Sequence, residues 1–223
     1  PFLWANLDST QQAALNRDAS NIPDTNGEAR LNYLRGASTN EGPGNPANAS
    51  SLKFRERACL DFATVTSATP TVITCAPNVG KLGDIVNSAA VYVGKPPFGY
   101  PDSIEGATEK YSDFVTLRSG RTKMVYVGAN DGMLHGFADA DGKEKMAYVP
   151  NMVYANDAPN NLSLLTSSTY THRFYVDGTP TVGDVFYGSD WHTVLVGGLR
   201  KGGRGYYALD ITDPANFAES AAN

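Results

Sequence analysis

Val125-Tyr126-Val127-Gly128-Ala129-Asn130-Asp131-Gly132-Met133-Leu134-His135-Gly136-Phe137 is an apolar run, a tight turn and a second apolar run. Val125 and Val127 fall at strand spacing, Asn130-Asp131-Gly132 is turn chemistry, and Leu134 to Phe137 resumes the strand pattern. Immediately downstream, Lys145-Met146-Ala147-Tyr148-Val149 reads as a further strand, and upstream Gly83 to Gly94 supplies a first one. The same order returns at Asp177 to Tyr187, Trp191 to Gly198 and Gly205 to Pro214. Val127 aligns with Val196, an offset of 69, and Asp139 with Asp210, an offset of 71, so one turn of the second copy is two residues longer. A unit of three or four short antiparallel strands repeated about 70 residues on is the pattern of propeller blades. The small pairs Gly128-Ala129 and Gly197-Gly198 permit close sheet packing. The second copy lacks an outer strand, which is expected after Pro214.

These quoted segments, with Tyr175-Val176-Asp177-Gly178-Thr179-Pro180 and Ala147-Tyr148-Val149-Pro150, resemble the blade repeats of quinoprotein-type β-propellers. More closely, they are similar to the C-terminal propeller of the PilC/PilY family of type IV pilus biogenesis and tip adhesin proteins. Phe2-Leu3-Trp4, Gln11, Leu15 and Tyr33-Leu34-Arg35-Gly36 resemble the segment that leads into that propeller. The resemblance implies a non-enzymatic, secreted or outer-membrane-associated protein at the pilus tip of a Gram-negative bacterium. It would assist pilus assembly, oppose retraction and contact host or abiotic surfaces, with minor pilins as partners. Family members also carry a calcium loop, so calcium is expected in the full-length protein. Here Asp139-Ala140-Asp141-Gly142-Lys143-Glu144 is the nearest match and too short for a cage of six to eight oxygens. Asp139 and Asp141 are weak metal candidates, and this segment is expected to hold no cofactor.

The remaining chain divides accordingly. Residues 1–50 form a helical lead-in and polar loop. Asp8-Ser9-Thr10 caps a helix through Gln11–Asn16, and a second helix from Gly27 to Arg35 is stopped by Gly36. Residues 51–80 read as an inserted β-hairpin carrying Cys59 and Cys75 with fifteen residues between them. In an oxidising compartment these two are expected to bridge, stabilising the fold by about 3 kcal/mol on the chain-entropy model; two separate buried thiols are the alternative. Residues 81–150 form one blade and 151–223 a second. Two blades cannot close a ring of four to eight. The first residue is Pro rather than Met, and Ala-Glu-Ser-Ala-Ala-Asn closes the sequence where another element is due, so the 223 residues read as part of something longer.

Composition supports this all-β reading. Charged residues are 18% of the chain, the net charge is -5, and Gly (22) and Tyr (12) are abundant. No Lys/Arg stripe suits a nucleic-acid backbone, and no apolar run reaches the roughly 18 residues of a membrane span. His135, His172 and His192 lack metal-ligand spacing and read as sheet residues. No Gly-x-Ser-x-Gly elbow is present. Gly197 to Gly205 has a phosphate loop's composition but not its Gly-Lys-Ser/Thr ending or following helix, so it reads as a basic turn. Its Arg200, Lys201 and Arg204 are candidate contacts for an acidic partner. Asp157 to Ser168 reads as a polar loop on the binding face, with Tyr100, Tyr154 and Tyr170 as candidate contact residues. A quinone-dependent dehydrogenase is the enzymatic alternative. It would need a stacking tryptophan, and only Trp4 and Trp191 are available. A propeller scaffold in envelope assembly is the third.

Overall fold

The structure, a computed structural model, describes residues 2–42, 51–57, 81–104, 109–154 and 161–217. Cys59, Cys75 and the expected hairpin around them lie outside the described residues. The chain forms two units, residues 1–83 with 153–173, and residues 84–152 with 174–223.

The first unit is helical. Helix α1 (Ser9–Leu15) starts at Asp8, whose carboxylate accepts from the Thr10 and Gln11 amides while the Gln11 side chain accepts from the Asp8 amide, a capping box. Helix α2 (Gly27–Leu34) ends at Gly36, which sits at φ 104°, a left-handed geometry that glycine adopts without strain. Ala14, Leu15 and Leu31 are buried, and Tyr33, also buried, packs edge-on against Phe54. Arg30 is buried too, and its guanidinium donates to the Leu15 carbonyl and to both oxygens of Asp24, at 2.8, 2.7 and 2.6 Å. That pair holds the Asp24 carboxyl down at about 2.

Residues 153–173, assigned from the sequence to the second blade, cluster with this helical unit instead. The stretch expected to be a polar binding loop is corrected over its described part. Leu162–Thr166 forms a 3-10 turn with Leu162 and Leu165 buried. Two leucines three residues apart share one face of such a turn, and their burial outweighs the polar composition around them.

The second unit carries the repeat. Strands β1 (Val91–Val93), β2 (Met124–Gly128), β3 (Leu134–Ala138) and β4 (Glu144–Tyr148) form an antiparallel sheet in sequence order. Strands β5 (Thr181–Tyr187), β6 (Asp190–Gly198) and β7 (Tyr206–Asp210) form the second sheet in the same order. Both are blades of a partial propeller, as the repeat predicts. The β2–β3 turn is closed by the Ala129 amide on the Met133 carbonyl and the β6–β7 turn by Leu199 on Gly205, a span two residues longer. After β7 the described chain makes a 3-10 turn, Pro214–Asn216. Between β1 and β2 runs an insertion with its own short helix, α3 (Tyr111–Leu117), which the sequence reading passed over.

Candidate functional site

The seam between the two blades concentrates the buried polar chemistry of the second unit. It begins at the β2–β3 turn, where Asn130 donates to Asp84 and accepts from the Tyr175 amide at 3.0 Å. The Val176 amide donates to the Ala129 carbonyl. This lays residues 174–179 along the first blade. Asp177 is 1% exposed and accepts from the backbone and side-chain amides of Asn87. Ser88 donates to the Gly178 carbonyl and accepts from the Gly128 amide. Gly128 is required by the approach itself, because a Cβ there would collide with the Val176 carbonyl oxygen.

The insertion fastens the other end. Trp191 on β6 stacks on Tyr100 with ring centroids 5.5 Å apart, and Tyr100 in turn stacks on Phe98. Tyr111 and Phe186 meet the Trp191 ring edge-on, while the indole N–H donates to the Glu109 carbonyl. Beneath the rings, buried Asp184 accepts from the Tyr111 hydroxyl and from the Thr193 hydroxyl, each at 2.6 Å. Arg121 donates to the Gly94 carbonyl, the Thr193 hydroxyl and the Thr212 carbonyl. Burial pushes the Arg121 guanidinium down from its usual range, opposed by the charge of Asp184. Burial likewise raises the Tyr111 phenol, reinforced by its bond to Asp184, so it stays protonated and donates.

Two clefts open along this insertion. One, of about 860 Å³, is lined by Phe114, Leu117, Trp191 and Phe217 with Asp113, Asp190, Asp210 and Asp213 around them. The other, of about 680 Å³, lies between β1 and β5 and contains Lys95, Arg121 and Lys123.

The residues singled out from the sequence are dispersed. Asp139 and Asp141 are exposed in the β3–β4 turn, where Asp141 caps the Lys143 amide and pairs with its ammonium. Among the described residues, no group of three or more His, Cys, Asp or Glu side chains is placed to hold a metal ion. Arg200 and Lys201 begin the 3-10 turn Arg200–Gly202 between β6 and β7; Arg200 reaches the Asn87 carbonyl and Lys201 lies over the Phe174 ring, with Arg204 exposed beyond.

His135 is a buried sheet residue with two partners. Nδ1 meets Glu144 at 2.5 Å and Nε2 meets both oxygens of Asp131 at 3.1 Å. Burial alone would lower its pKa, but the two carboxylates override burial and raise it to about 9. His192 pairs with Asp210 at 2.7 Å and stacks on Tyr187, and His172 is exposed. Tyr154 is buried against Phe2, Tyr170 lies under Arg55, and Tyr100 is the middle ring of the Trp191 stack, so all three serve packing. The tryptophans are likewise occupied: Trp191 in that stack, and Trp4 in a 3-10 turn of the helical unit beside Gly27. Asp184, Thr193 and Arg121 were missed by sequence reading; the one available signal was Asp184, a lone charge in the otherwise uncharged run from Thr181 to Tyr187.

Comparison with known proteins places these features. The family model of the PilY1 beta-propeller domain matches residues 82–221. The chain is 40% identical over 222 residues, 97% of its own length, to the type IV pilus biogenesis factor PilY1 of Pseudomonas aeruginosa strain PAK. It is 36% identical over 196 residues, 85% of its length, to a PilY1 homolog of Xylella fastidiosa strain Temecula1. These matches span 16% and 11% of the two relatives, respectively. The crystal structure of the Pseudomonas aeruginosa PilY1 C-terminal domain aligns with 56% of this chain and 23% of that one, at 44% identity and a TM-score of 0.42.

Proposed function

Because the chain belongs to the PilY1 β-propeller family, we propose that it works as a non-enzymatic scaffold in type IV pilus biogenesis. On this reading it acts at the cell surface or pilus tip, supports assembly against retraction and contributes to surface adhesion. Its partners are minor pilins, and calcium is held by a part of the protein outside these residues. The observation that carries the reading is the 40% identity to a pilus biogenesis factor sustained over 97% of the chain. The seam supports the scaffold role: the carboxylates of Asp177 and Asp184 are buried and engaged by Asn87, Tyr111 and Thr193. Groups so engaged fix the blades against each other. Among the described residues no helix is long and apolar enough to cross a membrane.

Immunoblotting of sheared pili from the native host tests the assignment. The full-length protein is expected in the sheared fraction together with the major pilin. Its confinement to the cell body in piliated cells would remove the pilus-tip placement.

A further inference from the structure

We propose that the cleft between β1 and β5 is a docking site for an extended acidic peptide segment. Three cationic side chains, Lys95, Arg121 and Lys123, line the cleft, and among the described residues no carboxylate does. This runs against the chain as a whole, which carries 23 acidic and 18 basic residues. Lys95 and Lys123 are exposed, and among the described residues neither is in an ion pair. Arg121 adds a second, independent observation. Its Nε and Nη1 are committed to the fold, whereas Nη2 is buried with no hydrogen-bond partner among the described residues. A buried guanidinium nitrogen left without an acceptor is costly and rare.

The walls specify an extended chain as the occupant. Among the described residues β1 and β5 are the edge strands of their sheets, each hydrogen-bonded on one side only, and both contribute to the cleft. Such edges present backbone donors and acceptors to an added strand. Tyr92, Phe98 and Pro97 stand exposed in the cleft, giving apolar surface for alternate side chains while the lysines take the carboxylates. Both walls come from successive blades of this chain. The inference goes beyond the pilus reading and does not depend on it.

Fluorescence anisotropy of the full chain tests it, with a labelled hexapeptide of alternating glutamate and valine as probe. The glutamate peptide should bind, more weakly as salt is raised, and the matching lysine–valine peptide should not. Lys95→Glu with Lys123→Glu should weaken binding about tenfold or more, with an unchanged thermal midpoint because both side chains are exposed. Arg200→Glu with Lys201→Glu, on the separate basic turn, should leave binding intact. Absence of binding, equal binding by the cleft variant, an equal loss in the turn variant, or competition by inorganic phosphate at the peptide's own affinity would each overturn the assignment.

Discussion

The Tyr111 hydroxyl donates to Asp184 across 2.6 Å and accepts from the Phe98 amide at 3.1 Å. One phenol therefore ties helix α3, the insertion loop and the central part of β5 together beneath the Trp191 stack. Asp184 is left with the Thr193 hydroxyl as its other donor.

Tyr111→Phe removes a donor from this buried carboxylate and an acceptor from the Phe98 amide. A loss of about 1–3 kcal/mol is expected for groups left unsatisfied in the interior. Tyr187→Phe, whose hydroxyl bonds Asp210 at an exposed position, should cost clearly less. Urea midpoints of the two variants compare them directly; equal midpoints would refute the role assigned to Tyr111.

Gly128→Ala places a methyl group against the Val176 carbonyl oxygen, a backbone atom that cannot rotate away. Overpacking of this kind costs about 1–3 kcal/mol, and here the strain falls on the seam. Gly120→Ala, with nothing within 4 Å of the added carbon, is the matched control and should be nearly neutral. Thermal unfolding reads both; a neutral Gly128→Ala would show that the blades tolerate separation.

His135 gives the second unit an alkaline sensitivity. Its folded pKa of about 9 lies above the ordinary 6.5, so the stabilisation is complete below pH 6.5 and is lost as pH rises through 9. The shift is worth on the order of 2–3 kcal/mol, discounted because Glu144 is half exposed. Denaturant midpoints should fall between pH 6.5 and 9.5 in the native chain and change less over that window in His135→Gln. Parallel profiles would contradict the two-carboxylate arrangement.

Asp24 behaves oppositely in the helical unit. Its hydrogen bonds to Arg30 hold its pKa at about 2 against an ordinary 3.8, so the contribution is present above pH 3.8 and disappears as pH falls through 2. Asp24→Asn should cost about 2 kcal/mol at neutral pH, with the difference from the native chain narrowing between pH 4 and 2. Denaturation followed by circular dichroism measures it.

Features set by neighbouring residues were readable from the sequence. Asp8 with Gln11 is a cap spelled out within four residues, Gly36 marks the end of α2, and Asn130-Asp131-Gly132 marks the β2–β3 turn. The blade order emerged from the repeat because each strand pairs with the next along the chain. The seam was hidden because its partners lie far apart, Asn87 with Asp177 and Tyr111 with Asp184. No local period announces such pairs. Tyr100 illustrates the same difficulty: beside Gly99 and Pro101 it looks like a loop tyrosine, yet Trp191 stacks on it. Composition misled at 161–166, where Leu162 and Leu165 are buried and Asn161, Ser163 and Thr166 are buried with them.

Surface pilin after deletion of the gene encoding the full-length protein tests the pilus assignment most directly. The sheared pilin of the deletion strain should fall sharply and return on complementation with the native gene. Pilin at the native level in the deletion strain, with intact pilus retraction machinery, would contradict a role in pilus biogenesis.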